Sequence, residues 1–185
     1  MNISRISGAF ASIRDIVPLK FLLMLYNALA IPQLTHQIII WGSAPAYQTR
    51  HLHVRINNLL RIILGVQWED GRPLTRTDAM YESLDVLKLP SLYKFNLFKL
   101  LRQLLDGRYP DMFDTLLRPF ISTHTYEMRR RMFLHPPLTC EVERRFLTHQ
   151  MIIMHDTLPR ELLDGTLPYC LRSFKLKLLN EQISV

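Results

Sequence analysis

The sequence predicts an all-α fold, an irregular helical bundle of about six to eight helices. Two observations carry this prediction: apolar residues recur at helical spacing in most segments, and prolines and glycines stand at the ends of those segments. A hydrophobic content of 48% in 185 residues is enough to form a sizeable core and excludes a disordered chain. No internal repeat or low-complexity tract divides the sequence.

The clearest helix covers residues 46–64 and ends before Gly65, a residue type that commonly terminates helices. At about 100° per residue, its apolar residues fall on one face: Leu52, Ile56, Leu59, Leu60 and Ile63. Its polar residues fall on the other face: Arg50, Arg55, Asn57, Asn58 and Arg61. This pattern predicts a surface helix that packs on the core and carries a basic stripe.

Two apolar segments precede this helix, after a short leading helix within residues 1–15. A helix that starts near Pro18 should break at Pro32, because proline restricts the residue before it to extended angles. A second helix covers residues 32–41, although its sequence "QIIIW" also suits a strand. Trp41 ends this segment among aliphatic neighbours and is expected in the core.

Residues 19–41 are also about the length of a membrane span. Polar groups interrupt the stretch and would be unsatisfied in hydrocarbon: Lys20, Asn27, Pro32, Gln33, His36 and Gln37. We therefore expect a buried helical hairpin and no membrane partner.

The first apolar run, near Ile16, lacks the cleavage pattern of a signal peptide. Together with two cysteines that lack paired spacing, Cys140 and Cys170, this favours an intracellular location, cytoplasm or nucleus, over secretion.

The middle of the chain predicts a turn at Asp70-Gly71 and a short helix capped by Thr75 or Thr77. The next helix, Pro90–Leu105, is apolar almost all round and is expected to form the centre of the bundle together with residues 19–64. Its narrow polar stripe contains Asn96, Lys99, Arg102 and Gln103.

Helical patterns are weaker towards the C-terminus. Residues 119–137 are typical of a loop, and helical spacing returns from about 140 to 155 and from about 170 to 179. We therefore expect two domains, a helical bundle at residues 1–118 and a helical segment at residues 119–185 that packs on it.

The chain lacks the signatures of catalytic, metal and cofactor sites. Glu69-Asp70 is the only contiguous acidic pair, and it precedes a glycine turn, whereas two-metal polymerase sites need closely set acidic ligands on a strand. No glycine-rich phosphate loop and no G-x-S-x-G elbow occurs. The cysteines and histidines lack close ligand pairs such as C-x-x-C. We therefore expect no catalytic residue, metal or cofactor.

The formal net charge of +7, from 23 Lys and Arg against 16 Asp and Glu, is compatible with a polyanionic partner. In the basic stripe, arginines can contact phosphates and asparagine amides can bond sugars or phosphates. A solvated face on any surface helix shows the same pattern, so both interpretations stay open. The run Arg129-Arg130-Arg131, after His124 and Tyr126, either clamps single-stranded nucleic acid by charge and stacking or is a solvated charge run.

The order of segments around the basic helix is distinctive. An apolar helix is followed by Pro32, a second apolar run closed by Trp41-Gly42, and the basic helix with "RINNLLRIILGV". Further blocks are "DAMYESLDVLKLPSLYKFNLFKLL", "HTYEMRRR", "HDTLPRELLDG" and "SFKLKLL". In this order and spacing they resemble, over most of the chain, the region after the polymerase palm in non-LTR (LINE-type, jockey- or RTE-like) retrotransposon reverse transcriptases.

The resemblance implies a fragment of an RNA-directed DNA polymerase, with residues 1–118 as a thumb-like bundle and 119–185 as a post-thumb connection. It implies as partners the backbone of RNA or an RNA–DNA duplex, and the palm and fingers of the parent polyprotein, which hold the catalytic residues. The nucleic-acid-binding residues would be Arg50, Arg55, Asn58, Arg61, Arg129, Arg130 and Arg131. The chain departs from the family pattern at Thr35-His36 and near His155. The alternative is a non-catalytic helical remnant or a protein–protein adaptor with no nucleic-acid role.

Overall fold

The structure is a computed structural model that describes residues 3–66, 76–108 and 146–183, and the backbone of two short paired strands. Its helices are α1 (Ile3–Ile13), α2 (Leu19–Leu25), α3 (Ile31–Thr35), α4 (Ile38–Trp41), α5 (Ala46–Leu64), α6 (Thr77–Ser83), α7 (Leu89–Leu105), α8 (Leu147–Thr157), α9 (Arg160–Asp164) and α10 (Leu167–Ile183). A π-helical turn, Tyr26–Ala30, joins α2 to α3. The predicted all-α fold is confirmed. Among the helices described, none is long and apolar enough to cross a membrane.

The chain divides into two compact units. The first contains Met1–Tyr93 and Leu178–Val185, and the second contains Lys94–Lys177. Helices α7 and α10 each contribute residues to both units. Because residues 109–145 lie outside the described residues, the domain boundary predicted after residue 118 stays a prediction.

Helix α5 is central to the first unit, and α1, α2 and α6 pack against it. Its bounds are those that the sequence predicts, and the predicted apolar face is buried at Ile56, Leu59, Leu60 and Ile63. Gly65 ends the helix in a left-handed conformation with φ 68°, which glycine adopts without a Cβ clash.

The helix expected to break at Pro32 continues to Thr35, so the predicted boundary is wrong. A π-helical turn lies just before the proline, and the backbone N–H of Ile31 donates there to the carbonyl of Tyr26, five residues back. In an α-helix the proline ring clashes with the carbonyl four residues back. The wider turn gives that carbonyl room to tilt away from the ring. The break comes instead between α3 and α4, at Gln37, which has a left-handed φ of 52°.

The "QIIIW" segment is helical and forms α4, so its strand alternative is wrong. Ile38 is buried, whereas Ile40 is exposed. Trp41, expected in the core, is half-buried, and its indole N–H donates to the carbonyl of His36 at 2.9 Å. This bond closes the turn between α3 and α4.

Two short strands, Trp68–Glu69 and Arg72–Pro73, pair antiparallel on either side of residues 70–71, where the sequence predicts a turn. Helix α6 follows and ends at Ser83. Thr77 is its first helical residue and does not cap it, so that prediction is wrong. The N-cap position belongs to the residue before Thr77 and makes no side-chain cap bond.

The end of α10 is joined to the segment before α7 in the first unit. The backbone N–H of Lys88 donates to Oε1 of Gln182 at 2.7 Å, and Nε2 of Gln182 contacts the carbonyl of Val86 at 3.5 Å. Lys88 Nζ also pairs with the carboxylate of Asp78 at 2.7 Å, and this hydrogen bond lowers the pKa of Asp78. The last residues of α10 therefore belong to the first unit.

The second unit has its own apolar core. Its buried residues come from α7, α8, α9 and α10 and include Leu97, Phe98, Leu101, Met151, Ile152, Leu162, Cys170 and Phe174. The rings of Phe98 and Phe174 lie 4.4 Å apart between centroids in a tilted pair, a favourable geometry for aromatic rings. Helix α10 begins at Leu167, earlier than predicted, because Pro168 fits the first turn, where its missing N–H costs nothing.

Arg102 is buried in the second unit, with 7% of its surface exposed. The narrow polar stripe of α7 that the sequence predicts is therefore buried at this residue. The guanidinium donates to the backbone carbonyls of Leu163 and Gly165 and to the carboxylate of Asp106, which lies 2.9 Å away. These carbonyls lie at the C-terminal end of α9, where a cation is favoured by the helix dipole.

Gly42 has no room for a side chain. A Cβ there would overlap the ring of Tyr93 and the carbonyl oxygen of Ile38. We expect Gly42→Ala to lower the free energy of unfolding by about 1–3 kcal/mol, because overpacking displaces neighbouring groups. Gly8→Ala is the control, since a Cβ at Gly8 meets nothing within 4 Å. It should raise the free energy of unfolding by about 0.5–1 kcal/mol, because alanine favours helix. Denaturant titration measures both, and effects of the same sign would contradict the contact.

Candidate nucleic-acid interface

Arg50 and Arg55 are exposed on the solvent side of α5, and Asn58 is exposed with them. They lie there because the opposite side of α5 is buried against neighbouring helices. Around the helix axis the two arginines are about 140° apart, and along it they are about 7.5 Å apart. The two cations therefore flank a broad exposed face instead of following one narrow stripe.

Arg61 belongs to the same predicted set, but its side chain is bonded within the protein. Its guanidinium donates to Oδ1 of Asn58 at 3.0 Å and to the hydroxyl of Thr77 at 3.3 Å. The second bond ties α5 to α6. The structure thus brings Arg61 and Asn58 together and gives Arg61 a role in holding the two helices.

Asn57 is half-buried at the contact between α5 and α6, so its assignment to the exposed basic stripe is wrong. Its Oδ1 accepts a hydrogen bond from the hydroxyl of Tyr81 at 2.8 Å. Burial raises the pKa of Tyr81, which keeps the hydroxyl protonated and able to donate. This bond occupies the side of α5 next to Arg61.

Viewed down the axis of α5, three further exposed residues lie between the two arginines. They were not predicted from the sequence. Tyr47 is 73% exposed and Val54 is 49% exposed, and His51 is exposed as well. The seven-residue spacing of Tyr47 and Val54, opposite the apolar face, is the signal that places them there. We call Tyr47, Arg50, His51, Val54, Arg55 and Asn58 together the basic face.

The basic face borders an open groove at the start of α1. The groove is lined by Ile3, Gln48, His51, Leu52 and Arg55. His53, on another side of α5, is half-buried, and burial lowers its pKa. The neutral imidazole is therefore favoured at neutral pH, and His53 adds no charge to the basic face.

The second predicted contact, Arg129-Arg130-Arg131, lies outside the described residues, as do His124 and Tyr126. The contact of these three arginines with nucleic acid therefore stays a prediction. Within the described ranges, no group of three or more His, Cys, Asp or Glu residues is arranged to hold a metal ion.

The fold and this site define a helical protein with a basic, partly aromatic face on its central helix. Comparisons of the chain with protein-family models, with curated proteins and with solved structures give no match.

Proposed function

We propose that this chain is the thumb and connection region of a non-LTR retrotransposon reverse transcriptase, an RNA-directed DNA polymerase. It grips RNA or an RNA–DNA duplex through the basic face and has no catalytic residues of its own. The palm and fingers of the parent polyprotein are its other partners in this proposal. Arg129, Arg130 and Arg131 form a second contact with the nucleic acid.

The exposure of Arg50 and Arg55 on the two flanks of one helix face carries this proposal. A duplex that lies against α5 meets one cation on each flank, with the exposed amide of Asn58 between them. Arginine guanidinium groups bind phosphate oxygens through paired N–H donors, and the amide can bond a sugar or phosphate oxygen. Such contacts follow the shape of the backbone and are independent of base sequence.

The core behind the basic face makes it rigid enough to hold a duplex. Leu59 and Leu60 are buried on the opposite side of α5, so the exposed arginines extend from a fixed helix. The exposed ring of Tyr47 and the methyl groups of Val54 offer apolar contact to sugars between the phosphates. The A-form minor groove is wide and shallow and exposes its sugars, so it suits a face of this shape.

The test is the affinity of the full chain for a short RNA–DNA hybrid across a salt series. We expect the double variant Arg50→Ala, Arg55→Ala to lower the slope of log affinity against log salt by about two units, because each phosphate neutralised adds close to one unit. Arg61→Ala should lower the slope less than either single change at Arg50 or Arg55, because its bonds to Asn58 and Thr77 hold the Arg61 side chain against the protein.

The matched control is the double variant Arg172→Ala, Lys175→Ala, which removes two exposed cations of α10. It changes net charge by the same amount as the α5 double variant, and the salt slope should stay that of the parent chain. If the two double variants bind alike, net charge alone attracts the nucleic acid. The basic face would then be a solvated surface, as expected for a helical remnant or a protein–protein adaptor.

A further inference from the structure

Apolar side chains lie exposed along one side of the helix that runs from α2 through the π-helical turn. Phe21 is 55% exposed, Met24 is 57% exposed and Leu29 is 48% exposed. Ala28 is exposed beside them, and Leu25 is half-buried. We call these five residues the outer apolar face. Single exposed hydrophobic residues are normal on a protein surface, whereas a contiguous apolar patch is often a contact site for another molecule.

The π-helical turn keeps this row on one side of the helix. Phe21, Leu25 and Leu29 are spaced by four residues, and in an α-helix this spacing would rotate the row by about 40° at each step. The turn begins just after Leu25 and takes up the rotation. The same turn keeps Ala30 on the buried side together with Tyr26. Turns of this kind inside α-helices are frequently found at functional sites.

The stretch around the outer apolar face is almost free of charge. From Pro18 to Thr49, Lys20 is the only Lys, Arg, Asp or Glu, while the whole chain has a net charge of +7. Two copies of the chain therefore repel each other when they approach through their basic surfaces. Contact through the outer apolar face brings together two uncharged surfaces without that repulsion.

We propose that the outer apolar face binds a second copy of this chain across a two-fold axis. In a two-fold contact the same patch lies on both sides and must fit itself. An antiparallel pairing centred near Leu25 sets Phe21 beside the partner's Leu29 and brings Met24 close to the partner's small Ala28. The long Met24 side chain thus has space beside a small residue. This contact is independent of the nucleic-acid role proposed for the basic face.

The area of the outer apolar face limits the area that two copies of the chain can bury between them. Large apolar side chains present roughly 150–250 Å² each when fully exposed, so the outer apolar face offers on the order of 400 Å² per copy. A standard interface buries about 800 Å² per partner. The face therefore forms the apolar centre of a small interface, with the exposed Lys20, Asn27 and Gln33 at its rim. An interface of this size is at the small end of specific contacts, so we expect a weak, reversible dimer.

Sedimentation velocity of the full chain over a wide range of concentration tests the dimer. We expect a reversible monomer–dimer equilibrium, and we expect Met24→Glu to weaken the dimer about a hundredfold, because two like charges then meet in its centre. The new carboxylate lies one turn from Lys20 and pairs with it in the monomer, which preserves the helix.

The matched control is Leu176→Glu on α10, a residue outside the face that is 54% exposed. Its carboxylate would lie one turn from Arg172, as the carboxylate in Met24→Glu lies one turn from Lys20. This variant should dimerise like the parent chain. Equal weakening by the two variants, or a monomer at every concentration, overturns the proposal.

Cross-linking tests the same contact with a small substitution that should leave the fold intact. We expect a short thiol-reactive cross-linker to join copies of Ala28→Cys in a Cys140→Ser background far more efficiently than copies that carry Cys140→Ser alone, whose remaining Cys170 is buried. Equal cross-linking of the two contradicts the two-fold contact at Ala28. If the chain stays monomeric and binds neutral phosphatidylcholine vesicles in a manner abolished by Met24→Glu, a lipid surface covers the face and the proposal is wrong.

Discussion

Arg102→Ala is expected to lower the free energy of unfolding by about 3–5 kcal/mol, because it removes the cation from a buried, hydrogen-bonded charge pair. In the native chain the guanidinium donates to the carbonyls of Leu163 and Gly165 and to the carboxylate of Asp106. Alanine leaves the two carbonyls without this donor inside the second unit. It also leaves a carboxylate with 23% exposure beside an apolar core.

Arg108→Ala is the matched control for Arg102→Ala. Arg108 also faces the carboxylate of Asp106, but the distance is 3.7 Å and its side chain is 59% exposed. Exposed ion pairs of this kind contribute about 0–1 kcal/mol. Chemical denaturation should therefore separate the two variants clearly. Similar losses of stability for both would mean that pairing with Asp106 matters and that the buried carbonyl bonds do not.

Hydrogen exchange locates the effect of Arg102→Ala. We expect faster exchange in α9, the helix whose C-terminal carbonyls Arg102 holds, and little change in α5. Arg102→Lys should be intermediate, because an ammonium group keeps the charge but lacks the planar fork that bonds several acceptors at once. Full stability in the lysine variant would show that charge alone suffices.

The structure of α5 was accessible from the sequence because burial of one apolar stripe decides it. Its bounds, its buried residues and its glycine terminator all follow from helical spacing. The exposure of Arg50 and Arg55 follows from the same spacing, since both lie outside the buried stripe, one on each flank of the exposed face. Tyr47 and Val54 could have been assigned to the exposed face by the same reasoning.

What the sequence could not supply are contacts between distant residues. Arg102 is buried because of carbonyls 61 and 63 residues further along the chain. Asn57 is covered by a tyrosine 24 residues away, and Arg61 bonds a threonine 16 residues away. Spacing within one helix predicts which side a residue occupies. It does not reveal which neighbouring helix brings a bonding partner to that side.

The sequence contained a signal for the π-helical turn, but the rule applied to Pro32 led to a different prediction. Leu22, Tyr26, Ala30, Leu34 and Ile38 are all buried and are spaced by four residues throughout. A regular α-helix would rotate such a row away from the core by about 40° at each step. This constant spacing therefore carried a signal for a widened turn. The rule that proline ends helices led instead to a break at Pro32, because that rule assumes an α-helical turn before the proline.

Leu60→Ala is expected to lower the free energy of unfolding by about 2–5 kcal/mol, because it removes buried methyl groups and leaves a cavity in a packed core. Leu60 is 0% exposed on the central helix of the first unit. Alanine is a good helix former, so the loss comes from packing and not from the helix itself. Hydrogen exchange should become faster in α5 and in the helices that pack on it, α1, α2 and α6.

Val54→Ala on the same helix separates packing from helix propensity. Val54 is 49% exposed, so truncating it removes little buried surface, and alanine replaces a β-branched residue. Its effect on stability should stay within about 0.5 kcal/mol. If Leu60→Ala were equally mild, α5 would not be central to the core of the first unit. The fixed position of Arg50 and Arg55, on which the proposed grip depends, would then lose its structural support.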